Sequence, residues 1–400
     1  MASSPLSAPE EERSHSDAEE NGGGGGLPED QVFELLTRVP LDDLPACRMV
    51  STRWRRLTYE PAFAPLHCRR AAAVSGYLVQ SMTHNLYHAD FVSMHGSPTP
   101  KAISLDFLPS AHVRVEAVSA HRGLACCVEA DTARPPCYYV CKPATRQWRA
   151  LPSPRVRFRT AAVAMVARPS PSASSTAAEF KVVRFSVPAL RDRLRCEVFD
   201  SRRFAWRRAP DVPLCPVSLF RPAAPAVRAH GAMHWLRWPD RLTGAQDVFA
   251  FDVRAEAWRL IPLPRDVDEM DDPWARKRIA AVEGRLCLLV LTDAAVDEEV
   301  LEVWEMANYG EGRWRKKMTV SLKSLHAKEG PAVILSDLHS SDVAFLHSFC
   351  RVMWYDLRKG KMAEVQVKHV CIQEIFKYES DLIPCDIGRA CRSLDRNCVF

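Results

Sequence analysis

Apolar positions change their rhythm once along this chain. From residue 27 to about residue 70 they recur at helical spacing. Beyond that they fall into short β-rich runs broken by Pro, Gly, Asp and Ser. In the first stretch, Leu27-Pro28-Glu29-Asp30 reads as a helix start, with an early Pro and acidic residues where the helix dipole favours them. Val32, Leu35, Leu36 and Val39 then mark one helix, which Pro40 stops. Asp42 and Asp43 can cap a second helix carrying Leu44, Cys47, Met49 and Val50. Pro45 is tolerated there, because a first-turn residue needs no N–H. A third short helix is predicted over Thr52 to Leu57, with Trp54 on one face and Pro61 ending it. Three short helices cannot hold a full core alone. Their apolar residues fall on more than one face, so part of that surface is expected to meet a partner.

The second stretch is an internal repeat. Asp200 precedes Trp206 by six positions, Asp252 precedes Trp258 by six, and Lys142 precedes Trp148 by six. Asp356 stands in the same relation to Met362. Each is preceded by an apolar strand, such as Val248 to Phe251. Asp suits the tight turn that ends this strand, and the return strand is expected to bury the Trp. Pro152, Pro210 and Pro262 each follow a Trp by four positions. Trp314-Arg315 reads as a further copy with a longer turn and no Pro. Successive Trp residues are 58, 52 and 56 positions apart, a period near that of kelch propeller blades. A second kind of strand start lies between the hairpins, at Gly123, Gly231 and Gly284, and Phe180 to Phe185 fills the equivalent place in another repeat. Each repeat thus offers the four strands of one blade. With a weaker unit over Gly76 to Leu108, about six blades are expected.

The fold class is therefore multidomain, α plus all-β: a small three-helix unit followed by a propeller-like repeat domain. Residues 1–26 are acidic and end in five Gly, a composition that predicts a disordered tail. Residues 27–70 form the helical unit, 71–385 the β domain and 386–400 a C-terminal tail. Pro169 to Ala178 reads as a surface loop.

Composition narrows the function classes. A net charge of +5 over 400 residues calls for no nucleic-acid partner. No apolar run reaches membrane-spanning length, and an acidic N-terminus is unlike a secretory signal. Most of the 14 Cys sit in apolar runs and read as reduced, buried thiols, which predicts a cytosolic or nuclear protein.

Catalytic patterns are missing. The sequence holds no Gly-x-Ser-x-Gly elbow, no His-Glu-x-x-His, no Gly-Lys-Ser/Thr phosphate loop and no Cys-x-x-Cys. Cys137 and Cys141 lack a second pair at zinc spacing, so no metal or cofactor is expected. Cys385, Cys391 and Cys398 read as unpaired tail thiols. His230 and His234 are weighed as bases and read as structural residues near a blade edge. Asp266 to Asp272 lacks the spacing of a calcium loop and reads as a solvated turn. Arg276-Lys277-Arg278 is expected in a solvated loop rather than as a nuclear signal.

Three segments, Leu27-Pro-Glu-Asp, Glu34-Leu-Leu-Thr-Arg-Val-Pro, and Cys47-Arg-Met-Val-Ser-Thr-Arg-Trp-Arg-Arg-Leu, resemble an F-box of the plant type. Five downstream motifs are similar to the F-box-associated domain of that family: Pro143 to Trp148, Phe180 to Phe185, His230 to Trp235, Phe251 to Pro264, and Leu301 to Met306. The resemblance implies a receptor subunit of a cullin-based ubiquitin ligase. The F-box would dock on a Skp-family adaptor and, through it, on cullin, while the β domain recruits a protein target. Carried over residue by residue, the adaptor-facing set is Leu27, Pro28, Val32, Leu35, Leu36, Val39, Leu44, Val50 and Trp54. The residues' own pattern leaves an internal three-helix core open for Leu35 and Val50. Two other functions compete: a ligase-independent propeller binding a peptide or glycan, and an enzyme in the propeller channel. The absent catalytic patterns speak against the last.

Overall fold

A computed structural model describes residues 27–39, 44–58, 60, 62–70, 74–84, 86–93, 101–102, 105, 107–110, 112–119, 122–129, 136–143, 146–169, 178–188, 193–214, 225–239, 245–268, 276–295, 298–329, 333–367, 371–380 and 387. The proposed N-terminal tail, the Asp42/Asp43 cap, the interior of the Pro169–Ala178 loop and the C-terminal Cys residues lie outside these.

Among the described residues the N-terminal unit holds four helices rather than three: α1 (Glu29–Leu36), α2 (Leu44–Val50), α3 (Thr52–Leu57) and α4 (Phe63–Arg70). Pro65 falls in the first turn of α4, where its missing N–H is harmless. The extra helix supplies Phe63, the most buried member of a core that also contains Val32, Leu36, Leu44 and Leu57. Phe33 meets Phe63 edge-on at 5.8 Å, and His67 stacks on it at 5.4 Å. His67 Nε2 lies 2.7 Å from the Val39 carbonyl, joining α4 to the end of α1. Ser51 caps α3 by accepting from Trp54 N at 3.1 Å.

The rest is a propeller of six four-stranded antiparallel sheets. Blade 2 runs through Val113–Val118, Ala125–Glu129, Tyr138–Lys142 and Gln147–Ala150. Blade 3 comprises Arg159–Pro169, Ala178–Val187, Arg195–Asp200 and Ala205–Arg208. Blade 4 has Val227–Ala229, Ala232–Leu236, Asp247–Asp252 and Ala257–Pro262, and blade 5 has Arg276–Val282, Arg285–Ala295, Glu298–Asn308 and Arg313–Ser321. Blade 6 is built from Ile334–Leu338, Val343–His347, Arg351–Asp356 and Met362–Gln366. Blade 1 is composite. Val74–Thr83, Leu86–Ser93 and Lys101–Ala102 are joined on the inside by the last strand of the chain, Ile372–Ser380. The Arg276-Lys277-Arg278 cluster thus opens an innermost strand and is not a solvated loop. Its alternation with apolar Ile279 and Ala281 is strand-like, a pattern that its density of charge obscures in the sequence.

The hairpins into the outer strands of blades 3 to 6 share one device. Asp200 Oδ1 accepts from Arg202 N at 3.0 Å. Asp252 Oδ1 accepts from Arg254 N and Ala255 N, and Asp356 Oδ1 from Arg358 N and Lys359 N. The residue four positions on then takes a left-handed conformation: Phe204, Glu256 or Gly360. In blade 5 Asn308 plays the Asp part, accepting from Glu311 N at 3.2 Å, and Gly312 takes the left-handed place. The turn before Trp314 is therefore the same length as the others. Asn hides it from a search for Asp.

The repeated Trp and Pro join neighbouring blades. Trp206 Nε1 donates to the Pro152 carbonyl of the preceding blade at 2.7 Å, and Trp314 Nε1 to that of Pro262 at 2.9 Å. Trp206 is fully buried, while Trp148, Trp258 and Trp314 are half-buried. An outer strand has a neighbour on one side only, so most of these rings are covered less than the repeat predicts.

A second joint lies between blades 4 and 5. His234 is wholly buried within its sheet rather than at an edge. Its Nδ1 lies 3.2 Å from the Val227 carbonyl and its Nε2 2.9 Å from Tyr309 Oη. His230 stacks on Tyr309 at 4.4 Å and accepts from Leu286 N at 3.1 Å. Burial pushes His234 down to about 4, so it is neutral in the fold and protonated in the unfolded chain between about pH 6.5 and pH 4. Its contribution to stability is complete above about pH 6.5 and is lost as pH falls through about 4. His234→Gln should make the acid limb of a pH–stability profile shallower by about 1.4 kcal/mol per pH unit in that window. Denaturant melts at stepped pH measure this, and an unchanged slope would show that His234 does not titrate with unfolding.

Candidate docking surface

The predicted docking residues divide into three groups. Val32, Leu36 and Leu44 belong to the internal core of the helical unit and offer no area to another chain. Val39 and Trp54 are half-buried against that core. Leu27, Pro28, Leu35 and Val50 face solvent. Helical spacing marks apolar positions, but which side of so small a bundle lies inward depends on how the helices cross. Leu27 is 46% exposed, Leu35 51% and Val50 64%, and Met49, absent from the predicted set, is 81% exposed. Large apolar side chains this open, within one small helical unit, are suited to burial by a partner.

The polar frame fixes these segments. Arg56 pairs with Glu29, and Arg53 Nη2 donates to the Leu27 carbonyl at 3.1 Å, so α3 holds the start of α1. Arg70 pairs with Glu34, whose carboxyl the Arg70 hydrogen bond holds below the usual carboxylate range. Exposed pairs of this kind add little stability, about 0–1 kcal/mol each. Their contribution here is orientation.

The propeller has two unlike faces. Innermost strands all run from one face to the other, so the turns joining first to second and third to fourth strands lie on one side, the hairpin face, and the second-to-third turns and blade-to-blade connections lie on the opposite side, the loop face. Val74 pairs with Ser380 at the hairpin face, so the β domain both begins and ends there. Helix α4 ends only four residues before Val74, which keeps its last residue within roughly 15 Å of Val74 at that face. On the loop face lie Phe158, Trp238, Ile334 and Phe349, four of the five large apolar side chains that the described propeller exposes.

A central channel of about 330 Å3 runs between the innermost strands. Lys277, Arg278, Arg228 and Lys377 line it with Asp337, Glu374 and His347. Burial pushes Glu374 up to about 8 and His347 down to about 4. Tyr77 Oη donates to Asp337 at 2.7 Å, and Lys377 Nζ to the Ala281 carbonyl at 3.1 Å. Gln80 Nε2 donates to Glu374 at 3.2 Å and His347 Nδ1 lies 2.5 Å from Ser336 Oγ, while Arg228 Nη1 is buried without a hydrogen-bond partner among the described residues. Nucleophile, base and oxyanion donors are not assembled among them as an acyl- or phosphoryl-transfer site requires.

The described Cys residues are thiols: Cys126, Cys127, Cys141, Cys196 and Cys287 are buried, and Cys127 Sγ lies 3.8 Å from Cys141 Sγ. No group of three or more His, Cys, Asp or Glu suited to a metal ion occurs among the described residues. Of the acidic run, Arg265–Asp268 is a single helical turn, and residues 269–272 fall outside the described residues.

Residues 87–388 match the family model described as the F-box associated beta propeller domain, and residues 26–63 match that of the F-box domain. Similar proteins come from Arabidopsis thaliana. F-box protein At5g49610 is 24% identical over 387 residues, covering 92% of this chain and 100% of that protein. F-box protein At5g41720 is 30% identical over 163 residues, 39% of this chain and 84% of that one. F-box protein CPR1 is 23% identical over 373 residues, with 86% and 84% covered.

Proposed function

Because this chain belongs to the F-box associated beta propeller family and carries an F-box ahead of the propeller, we propose that it is a substrate-recognition subunit of a Skp–cullin–F-box ubiquitin ligase. In this reading the helical unit binds a Skp-family adaptor, the adaptor brings cullin, and the propeller holds a protein target. The chain contributes no catalytic group and works in the cytosol or nucleus.

The exposure of Leu27, Leu35, Met49 and Val50 supports this reading most directly. Burying apolar area yields about 25 cal/mol per Å2 before association costs, and a few central side chains carry most of a binding energy. Leu35→Asp with Val50→Asp should weaken adaptor capture by about a hundredfold or more, because each change strips an anchor and buries a carboxylate. Both positions face solvent, so the melting temperature should hold. Leu36→Ala is the contrasting variant. It opens the internal core and should cost about 2–5 kcal/mol of helical-unit stability. Co-purification of the full chain with adaptor, followed by titration of each variant, measures this. If wild type fails to retain adaptor, a ligase-independent propeller that binds a peptide or glycan takes the place of this reading.

A further inference from the structure

The connection from blade 2 to blade 3, residues 151–158, crosses the loop face and is held with unusual firmness. Arg184 and Glu197 form an ion pair at 2.7 Å, both side chains essentially inaccessible to water. Arg184 Nη1 also donates to the Val156 carbonyl at 3.0 Å, and Nη2 to the Phe158 carbonyl. Arg184 Nε reaches Tyr138 Oη at 3.2 Å and Thr160 Oγ1 at 3.0 Å. Glu197 Oε1 accepts from Val156 N at 3.1 Å, and Trp206 Nε1 donates to the Pro152 carbonyl. A buried ion pair is weak as a source of stability, since desolvation offsets most of its attraction. This one fixes the backbone of one surface segment from beneath.

What the segment displays is a cationic and apolar surface. Arg155, Arg157, Phe158 and Arg159 are all exposed. The three guanidinium groups have no carboxylate partner among the described residues. Elsewhere in the blade Arg195 and Arg208 share Asp211, Arg202 holds Glu179 and Arg207 holds Glu256, while Arg168 and Arg203 are exposed single arginines without a carboxylate partner among the described residues. Three like charges within five residues repel one another, and an anionic partner relieves that repulsion. Guanidinium forks match carboxylates in geometry as well as charge.

We propose that residues 151–159 form a target-docking segment for an acidic stretch of a protein, whose carboxylates meet Arg155, Arg157 and Arg159 while an apolar side chain packs on Phe158. This rests on the receptor reading and names the chemistry of its target. A protein segment fits better than a nucleic acid. The cationic cluster is too short to track a nucleic-acid backbone, and Phe158 adds apolar surface.

A short labelled peptide of glutamate and leucine is the probe, read by fluorescence polarisation on the full chain. A glutamine–leucine peptide and a single-stranded RNA of similar length are comparators. Wild type should bind the acidic peptide, more weakly as salt rises. Arg155→Glu with Arg157→Glu and Arg159→Glu should weaken it at least about tenfold, and Phe158→Ala about threefold. Arg203→Glu with Arg254→Glu, both on hairpin-face turns, should change it less than about twofold. Failure of wild type to bind the acidic peptide overturns the proposal, as does an equal loss in the hairpin-face variant or tighter binding of the RNA. Adaptor capture is measured on the same proteins. Its retention by the triple variant separates a failed docking segment from a failed receptor, which loses adaptor in wild type.

Discussion

A chain ending at residue 371 should not reach a folded propeller. The lost strand, Ile372–Ser380, is the innermost of blade 1 and pairs along Val74 to Ser81. Its Phe376 and Tyr378 fill the core between blades 1 and 2. Tyr378 Oη donates to the Gly123 carbonyl at 3.2 Å, and Gln80 Nε2 donates to Glu374 at 3.2 Å and to the Val115 carbonyl at 3.3 Å. Removing the strand opens a ring whose blades each rely on two neighbours, and bares a long strand edge prone to pairing with other chains. The truncated protein should lack a cooperative thermal transition and be cut rapidly by chymotrypsin within the blades. A sharp transition within a few degrees of the full chain's would show that the ring closes without this strand. Tyr378→Ala is the milder version and should cost about 3–5 kcal/mol in a denaturant melt.

Glu197→Ala should destabilise the propeller by about 3–5 kcal/mol, far more than loss of any exposed pair. It leaves the Arg184 guanidinium buried without a counter-charge, and deprives Val156 N of its acceptor. Replacing both members, as Arg184→Met with Glu197→Leu, should recover only part of the loss. Hydrophobic isosteres commonly match a buried pair, but here the Val156 and Phe158 carbonyls also lose their donor. The signature to seek is local: in the double variant the Val156 amide should exchange with solvent much faster while global stability stays closer to wild type. Equal protection of that amide in all three proteins would mean that the segment is held by something else.

Much of the architecture is legible in the residues. Asp200, Asp252 and Asp356 mark hairpins by a local mechanism, a carboxylate accepting from backbone N–H groups two and three positions on, and local mechanisms leave regular spacing. Asn308 performs the same task with a different letter. Ring closure is harder to see, because nothing in Ile372 to Ser380 indicates that its partner lies some three hundred positions earlier. Helix α4 is obscured by two prolines and few apolar residues, although Phe63 within it organises the whole helical core. Of the resemblance-derived docking set, Leu27, Pro28, Leu35 and Val50 are open while Val32, Leu36 and Leu44 are enclosed. Periodicity reports that a position is apolar, not which neighbour covers it. The Arg184–Glu197 pair was hidden for a related reason. Within Phe180 to Phe185 an arginine reads as the outward residue of a strand, and only the packing of blades 2 and 3 turns it inward.

The meeting of Val74 with Ser380 has a practical corollary for anyone handling this protein. A biotin carried on Arg254→Cys, in a hairpin-face turn, sits on the side where the helices join the propeller. Tethered to a sensor chip by that turn, the molecule holds its helix-to-propeller joint toward the matrix and its blade-to-blade connections toward the flowing solution. Cargo should then be captured freely while adaptor is sterically hindered, and a long flexible spacer should restore the second without altering the first.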